Sequence, residues 1–125
     1  MLAGHNVLVV EDAILIVMNI EAMLADVGCR SVASAGTVAE ALALLAAAEF
    51  DLAIIDVSLG PEESWPVAER LAALGVPFVF STGHGDGVRD PRFLDRPVLR
   101  KPWDARSLAA TLATLLADRA LRDRA

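Results

Sequence analysis

The chain has 125 residues, the length of one domain, and at that size an α/β fold buries about two-thirds of the surface of its unfolded chain. Its hydrophobic content of 55% excludes an intrinsically disordered chain, because such chains are poor in aliphatic residues. The formal net charge of -6, without any run of Lys or Arg, argues against nucleic acid and anionic membranes as partners, since both repel an acidic protein.

The distribution of cysteine and of apolar residues bears on the cellular compartment. Cys29 is the single cysteine, so it cannot form an internal disulfide, and we expect it to be buried in a protein from a reducing compartment. The N-terminus lacks the basic start and long apolar stretch of a signal peptide. The apolar run from Ala41 to Ala48 is far shorter than the roughly 18 residues of a membrane span. These features predict a cytoplasmic protein without a membrane partner.

The first strand and helix are predicted from the pattern of apolar residues near the N-terminus. Asn6 to Val10 is a continuous apolar run, typical of a strand buried on both faces of a parallel sheet. Ala13 to Val27 is predicted to be helical, and Gly28 is a stop signal. The apolar residues at helical spacing in this segment are Ile14, Val17 and Met18.

The next two pairs of elements repeat this alternation. Ser31 to Ala35 is a short β-prone segment, and Thr37 with Glu40 has the spacing of a capping box at a helix start. Asp51 to Asp56 predicts another buried strand, and Pro66 marks the start of a helix that Gly75 ends. The apolar residues at helical spacing are Val38, Ala41, Leu42 and Leu45 in the second helix, and Val67, Leu71 and Leu74 in the third.

The last third of the chain predicts two more strands and one long helix. Pro77 to Ser81 is the fourth strand, Val98 to Arg100 the fifth, and Ala105 to Arg122 the last helix. Between these strands, Gly83 to Pro97 holds several glycines and prolines, so a fourth helix is expected to be short or absent. The residues of one apolar stripe in the last helix are Leu108, Leu112, Leu115 and Leu116.

Strands that alternate with helices predict an α/β fold. Parallel pairing with right-handed crossovers places helices on both faces of the sheet. We therefore predict a flavodoxin-like, doubly wound sheet of five parallel strands in the order 2-1-3-4-5. Residues 1–125 are expected to form this single domain.

The residues at the carboxyl ends of the strands carry the most functional information, because ligands of open parallel sheets bind there. Glu11 and Asp12 follow the first strand, Asp56 ends the third, Thr82 follows the fourth and Lys101 follows the fifth. Three carboxylates that lie together repel each other, and a hard divalent cation with oxygen ligands relieves this repulsion. The pattern predicts a Mg²⁺ site.

The same set of groups suits phosphoryl transfer. Mg²⁺ binds one or two carboxylates together with phosphate oxygens, Asp56 is a candidate nucleophile, and Thr82 and Lys101 are candidate donors to phosphoryl oxygens. Each residue also has a structural explanation, for example Asp12 as a helix cap. Complementary chemistry at four strand ends, including the only lysine of the chain, favours the functional interpretation.

Four motifs in combination resemble the receiver domain of two-component response regulators over the whole chain: Val-Val-Glu11-Asp12, Ile-Ile-Asp56, Thr82 and Lys101-Pro102. The resemblance implies that Mg²⁺ is held by Glu11, Asp12, the Asp56 carboxylate and the Ser58 backbone carbonyl. It also implies that Asp56 accepts phosphate from a phosphohistidine of a sensor histidine kinase or histidine phosphotransfer protein, and that Thr82 and Lys101 respond to it. Without an output domain, the chain would act by binding partners or by carrying phosphate.

A narrower resemblance lies in Pro77 to Gly85, which is similar to the FAT GUY branch of receivers. Two positions depart from that motif, Ser81 in place of Ala and His84 in place of Gly or Tyr. The branch implies a weak or absent fourth helix and sensor kinases of the HWE type. Val98 stands where ordinary receivers have an aromatic switch residue, so the usual coupling from Thr to an aromatic ring is not expected.

The glycine-rich segment is the predicted switch. Gly83, His84 and Gly85 are expected to change order when phosphate binds next to Thr82. Trp65, expected in the loop after the third strand, and Trp103, after Lys101, are predicted to serve in packing rather than in partner contact.

Two other functions remain as alternatives. A haloacid-dehalogenase-like phosphatase also forms an aspartyl phosphate. The nucleophile of that family lies in an Asp-x-Asp motif, whereas this chain has Asp56-Val57-Ser58. A phosphate-independent pseudo-receiver is the other, and the complete acidic set argues against it. The preferred prediction is a signalling domain whose own chemistry is limited to phosphorylation and dephosphorylation of Asp56.

Overall fold

The computed structural model describes residues 5–26, 28–29, 31–60, 62–82, 97–100 and 104–124. Its elements follow the predicted alternation of strands and helices. In chain order they are β1 (Asn6–Val10), α1 (Ile14–Asp26), β2 (Ser31–Ala35), α2 (Val38–Ala47), β3 (Leu52–Asp56), β4 (Ser58–Leu59), β5 (Glu62–Glu63), α3 (Trp65–Leu74), β6 (Phe78–Thr82), β7 (Val98–Arg100) and α4 (Ala105–Arg124).

The main sheet has five parallel strands in the order β2-β1-β3-β6-β7. Since β6 and β7 are the fourth and fifth strands of this sheet, the predicted 2-1-3-4-5 order is confirmed. β1, β3 and β6 consist almost entirely of buried residues. Continuous apolar strands of this kind need cover on both faces of the sheet, and helices supply it.

Alternate residues of each strand belong to opposite core layers. Leu8 and Val10 of β1 pack with residues of α2 and α3, whereas Val7 and Val9 pack with residues of α1 and α4. The period of two along a strand is the reason for this alternation. The fold is therefore the doubly wound, flavodoxin-like α/β sheet that the sequence predicts.

The buried face of α1 differs from the stripe read from the sequence. Val17 is buried, but Ile14 and Met18 are 73% and 60% exposed, and the buried row continues with Ile20 and Leu24. α1 carries apolar residues around most of its circumference, so its periodicity defines no single stripe. Packing against the sheet selects the face instead.

The start of α2 contains most of the predicted capping box. Thr37 Oγ1 accepts a hydrogen bond from Glu40 N at 3.1 Å, as expected for an N-cap. Glu40 Oε1 accepts from the Thr37 hydroxyl at 3.3 Å, rather than from the Thr37 backbone N–H as in a full capping box. The cap nevertheless defines where α2 begins.

A short antiparallel hairpin between β3 and α3 was not predicted. Ser58 pairs with Glu63 and Leu59 with Glu62, and Gly60 occupies the turn with φ of 62°. The Gly-Pro dipeptide at 60–61 marks a turn in sequence, but two-residue strands are too short to show an alternating pattern. Trp65, expected in a loop, is the first residue of α3 and contacts Phe80 edge to face, as its predicted packing role requires.

Cys29 is partly exposed rather than fully buried as expected. It packs at the margin of the core layer that contains Ile20, Leu24 and Leu112. This partial burial raises the pKa of the Cys29 thiol above its usual value, because an apolar surrounding disfavours the thiolate. The thiol is therefore less reactive than that of an exposed cysteine.

Asp104 caps the start of α4 with an ionisable side chain. Its Oδ1 accepts a hydrogen bond from Ser107 N at 2.8 Å, which holds the pKa of Asp104 below its usual value. Because the pKa is lower in the folded state, the carboxylate stabilises the fold above its unfolded pKa. This contribution is lost as the pH falls through the folded pKa.

We expect Asp104→Asn, which keeps an acceptor oxygen but does not titrate, to show a smaller loss of stability than the wild type on acidification. Urea unfolding of both proteins between about pH 6 and about pH 3 measures this difference. A free-energy difference between the two proteins that stays constant over this range contradicts the role of the ionised cap.

Parts of the sequence-based interpretation lie outside the described residues. They are the weak fourth helix expected between Gly83 and Pro97, except for Pro97 itself, and Trp103. Within the described ranges, no helix has both the length and the apolar character needed to cross a membrane.

Candidate functional site

Three carboxylates meet at the carboxyl edge of the main sheet. β1 and β3 are neighbours, with Val10 paired to Ile55, so the residues that follow β1 lie beside the end of β3. Oxygens from the Glu11, Asp12 and Asp56 carboxylates all lie within 4.8 Å of one another. The structure thus brings together the three acidic residues that the sequence predicted to converge.

Glu11 is the buried member of this group, with 3% of its surface exposed. Its N–H donates to Ala35 O at 2.9 Å, and its Oε2 accepts from Asp12 N at 3.0 Å and lies 3.5 Å from Ala13 N. Both amides belong to the turn that precedes α1, which begins at Ile14. Glu11 therefore holds the turn between β1 and α1, in which Asp12 lies.

Asp56 is the last residue of β3 and is partly exposed. Its Oδ1 accepts a hydrogen bond from Ser58 N at 3.1 Å, a side-chain contact to the backbone two residues ahead. The intervening Val57 is buried, and its N–H donates to Ser81 O at 3.2 Å. The carboxylate is thus held at the sheet edge by a backbone segment that is itself bonded to β6.

The group of carboxylates can hold a divalent cation. Three carboxylates this close destabilise one another through repulsion, which a hard cation with oxygen ligands offsets. Asp12 is exposed and Asp56 is partly exposed, so solvent and a small ligand can reach the group. The set of donors fits Mg²⁺, which retains several waters and binds few protein ligands.

Gly60, in the turn between β4 and β5, lies close to this group. A Cβ placed on Gly60 would lie 3.5 Å from Asp12 Oδ2, and the backbone has φ of +62°. A side chain at this position therefore strains the turn and puts a methyl group against a carboxylate oxygen that is expected to bind the metal. Neither consequence is visible from the sequence alone.

Gly60→Ala is expected to weaken Mg²⁺ binding in addition to destabilising the turn by about 1 kcal/mol. Gly75→Ala is a matched control, because Gly75 has φ of +73° and a Cβ placed on it would have no described neighbour within 4 Å. Thermal unfolding with and without Mg²⁺ separates the two effects. If both variants keep the full response to Mg²⁺, the contact with Asp12 has no influence on the metal.

Thr82 lies one residue beyond Ser81, the partner of Asp56 in β6. It is the last residue of this strand, and it does not follow the strand as predicted, because Thr82 pairs with Arg100 of β7 and extends the ladder by one residue. Only 3% of its surface is exposed. Thr82 is therefore near the acidic group, on the strand next to β3.

The other predicted site residues lie outside the described part of the chain. They are Lys101 and the switch residues Gly83, His84 and Gly85. Their roles stay predictions. Lys101 directly follows Arg100, the β7 partner of Thr82.

Sequence reasoning also missed two residues near the site. Ser64, fully buried, bonds to Val57 next to the phosphoacceptor candidate, and Gly60 lies beside Asp12. The Gly-Pro turn signal pointed to a bend at Gly60, whereas no sequence signal indicated the contact of Ser64.

Comparisons with known proteins agree with this arrangement. Residues 7–113 match the protein family described as the response regulator receiver domain. The solution structure of SdrG from Sphingomonas melonis Fr1 is 45% identical, with a TM-score of 0.79, and the alignment covers 93% of this chain and 99% of that one.

Two further solved structures are similar. The BeF3-activated conformation of SdrG from Pseudomonas melonis Fr1 is 48% identical over 93% of this chain and 99% of that chain, with a TM-score of 0.77. A response regulator receiver protein from Burkholderia phymatum is 28% identical over 91% and 96% of the two chains, with a TM-score of 0.79. A comparison with curated proteins gives no match.

Proposed function

Because the chain belongs to the response regulator receiver domain family, we propose that it accepts a phosphoryl group on Asp56 from a phosphohistidine and thereby switches partner binding or relays the phosphate. Receiver domains are signalling domains that histidine kinases or histidine phosphotransfer proteins phosphorylate. The observation that carries the proposal is the meeting of Glu11, Asp12 and Asp56 within 4.8 Å at the carboxyl edge of the sheet.

The transfer step requires a nucleophile that is exposed to the donor. A carboxylate oxygen of Asp56 forms the new O–P bond while the P–N bond of the phosphohistidine breaks. The imidazole nitrogen leaves with the electron pair of that bond, and the donor ring departs as neutral imidazole because its other nitrogen carries a proton. The partial exposure of Asp56 supports this role, since the donor residue belongs to another protein.

Receiver domains bind Mg²⁺ at an acidic pocket, and the acidic group described above has the composition for it. We propose that Glu11, Asp12, the Asp56 carboxylate and the Ser58 backbone carbonyl hold the ion. When bound, Mg²⁺ neutralises charge that develops on the transferring phosphoryl group. Thr82 and Lys101 are proposed to donate to the phosphoryl oxygens, one through a hydroxyl and the other through an ammonium group.

The similar structure of SdrG in a BeF3-activated conformation supports a phosphorylation-dependent state. Beryllium fluoride on a carboxylate has the tetrahedral shape of an acyl phosphate, so the same reagent is suited to this chain. We also propose a cytoplasmic location and a sensor kinase of the HWE type as the phosphate source. The latter depends on the sequence similarity of Pro77 to Gly85 to the FAT GUY branch.

One assay tests the proposal directly. The protein is incubated with Mg²⁺ and acetyl phosphate, its intact mass is measured, and turnover of a phosphomonoester is followed in parallel. We expect one phosphoryl group per chain and no continuous turnover of the monoester. An unchanged mass would indicate a pseudo-receiver, and sustained turnover would indicate a phosphatase.

A further inference from the structure

Ser64, the residue before α3, lies outside the motifs that define the site. We propose that Ser64 is a positioning residue for phosphoryl transfer, because its hydroxyl orients the peptide group that holds the Asp56 carboxylate. This inference rests on the proposed function of Asp56 and adds a residue for which the sequence suggested no role.

A single peptide group connects Ser64 to Asp56. The carbonyl of Val57 accepts from Ser64 Oγ at 3.2 Å and from Ser64 N at 3.1 Å. The N–H on the other side of the same peptide bond, that of Ser58, donates to Asp56 Oδ1 at 3.1 Å. Because the peptide group is planar and rigid, fixing the direction of its carbonyl also fixes the direction of its N–H.

The two ends of this peptide also act together electronically. Donation to a carbonyl oxygen polarises the peptide and strengthens the hydrogen bond that its N–H donates. Here the acceptor of that N–H is a carboxylate, so the bond is charge-assisted when Asp56 is ionised. Removal of the Ser64 hydroxyl therefore weakens the hold on Asp56 without touching the carboxylate itself.

The orientation of the Ser64 side chain departs from what its position predicts. Ser64 is the N-cap residue of α3, where a serine hydroxyl normally accepts from an N–H of the first turn, yet no side-chain cap bond is formed. Val67 N donates instead to the backbone carbonyl of Ser64 at 3.0 Å. The hydroxyl is used for Val57, and departures of this kind from local rules are expected at functional sites.

Burial makes this contact specific. Ser64 has no exposed surface, and a buried hydroxyl is costly unless it forms a hydrogen bond. Val57 is itself held from the other side, since its N–H donates to Ser81 O at 3.2 Å. The backbone next to Asp56 is thus fixed by β6 on one side and by Ser64 on the other.

Ser64→Ala tests the proposal in two measurements. The first is the rate constant for phosphorylation by acetyl phosphate at saturating Mg²⁺, in which acetate leaves with the electron pair of the broken P–O bond. We expect a decrease of about fivefold to tenfold, the effect of one hydrogen bond expressed in the transition state. The second is the Ser58 amide proton resonance, which we expect to move upfield as its bond to Asp56 weakens.

The controls separate positioning from stability. Val76→Ala truncates a buried side chain near the start of β6, at the edge of the sheet opposite Asp56, and should lower the melting temperature without changing the rate. Ser64→Thr keeps the hydroxyl and should restore most of the rate. If Ser64→Ala does not fold, Ser64→Cys, a weaker donor of similar size, takes its place in the same comparison.

The outcomes distinguish this inference from the proposed function. If Ser64→Ala reacts at the wild-type rate with an unchanged Ser58 resonance, or slows no more than Val76→Ala, the positioning role is refuted while phosphorylation of Asp56 stands. If the wild type itself gains no phosphoryl group, the proposed function fails and the inference fails with it.

Discussion

Replacement of Asp56 with Asn is expected to abolish phosphoryl uptake from acetyl phosphate, the largest effect that any single substitution should have. The amide oxygen of Asn is a poor nucleophile. Among the described residues of the acidic group, Glu11 is buried, Asp12 is exposed and Asp56 is the partly exposed carboxylate that ends β3. Intact-mass measurement of the wild type and the variant under the same conditions shows whether the phosphoryl group is lost.

Asp51→Asn is the matched control, since it makes the same chemical change next to the start of β3 instead of at its end. Asp51 Oδ2 accepts from Asn6 N at 2.8 Å, and the amide oxygen of Asn can accept in its place. This variant should be phosphorylated like the wild type. Phosphorylation that persists in Asp56→Asn would place the phosphoacceptor elsewhere.

Removal of Mg²⁺ is expected to have the second largest effect. Without the cation, Glu11, Asp12 and Asp56 repel both one another and the anionic phosphodonor. We expect the rate of phosphorylation to fall at least about a hundredfold, because a metal ion contributes several kcal/mol of transition-state stabilisation and each 1.36 kcal/mol is a factor of ten. The rate of phosphorylation is measured before and after chelation of Mg²⁺, and again after Mg²⁺ is added back.

The same site predicts an effect of Mg²⁺ on stability. At about ten times the dissociation constant, binding adds about 1.4 kcal/mol, which raises the melting temperature of a domain of this size by a few degrees. Asp12→Asn removes one of the repelling charges, so it should be more stable than the wild type without Mg²⁺ and should respond less to its addition.

Asp26→Asn removes the same charge at the far end of α1 and should keep the full response to Mg²⁺. Equal responses in Asp12→Asn, Asp26→Asn and the wild type would show that the acidic group does not bind the cation.

The sequence by itself determined the order of the five strands of the main sheet and the meeting of the three carboxylates. The apolar runs of β1 and β3 are continuous, and acidic residues stand where these runs end. In a parallel sheet all the strands have their carboxyl ends at one edge, so the acidic residues had to converge once the strands paired. Local pattern and topology together were therefore sufficient for this part of the site.

Only the tertiary structure decided how the surrounding residues support the carboxylates. The exposed Ile14, the close approach of Gly60 to Asp12 and the use of the Ser64 hydroxyl for Val57 follow from none of the local patterns. Patterns and propensities describe a residue relative to neighbours a few positions away, whereas Gly60 and Asp12 meet because two loops end at the same sheet edge. A serine before a helix predicts a cap, and the burial of Ser64 against Val57 gave its hydroxyl another acceptor.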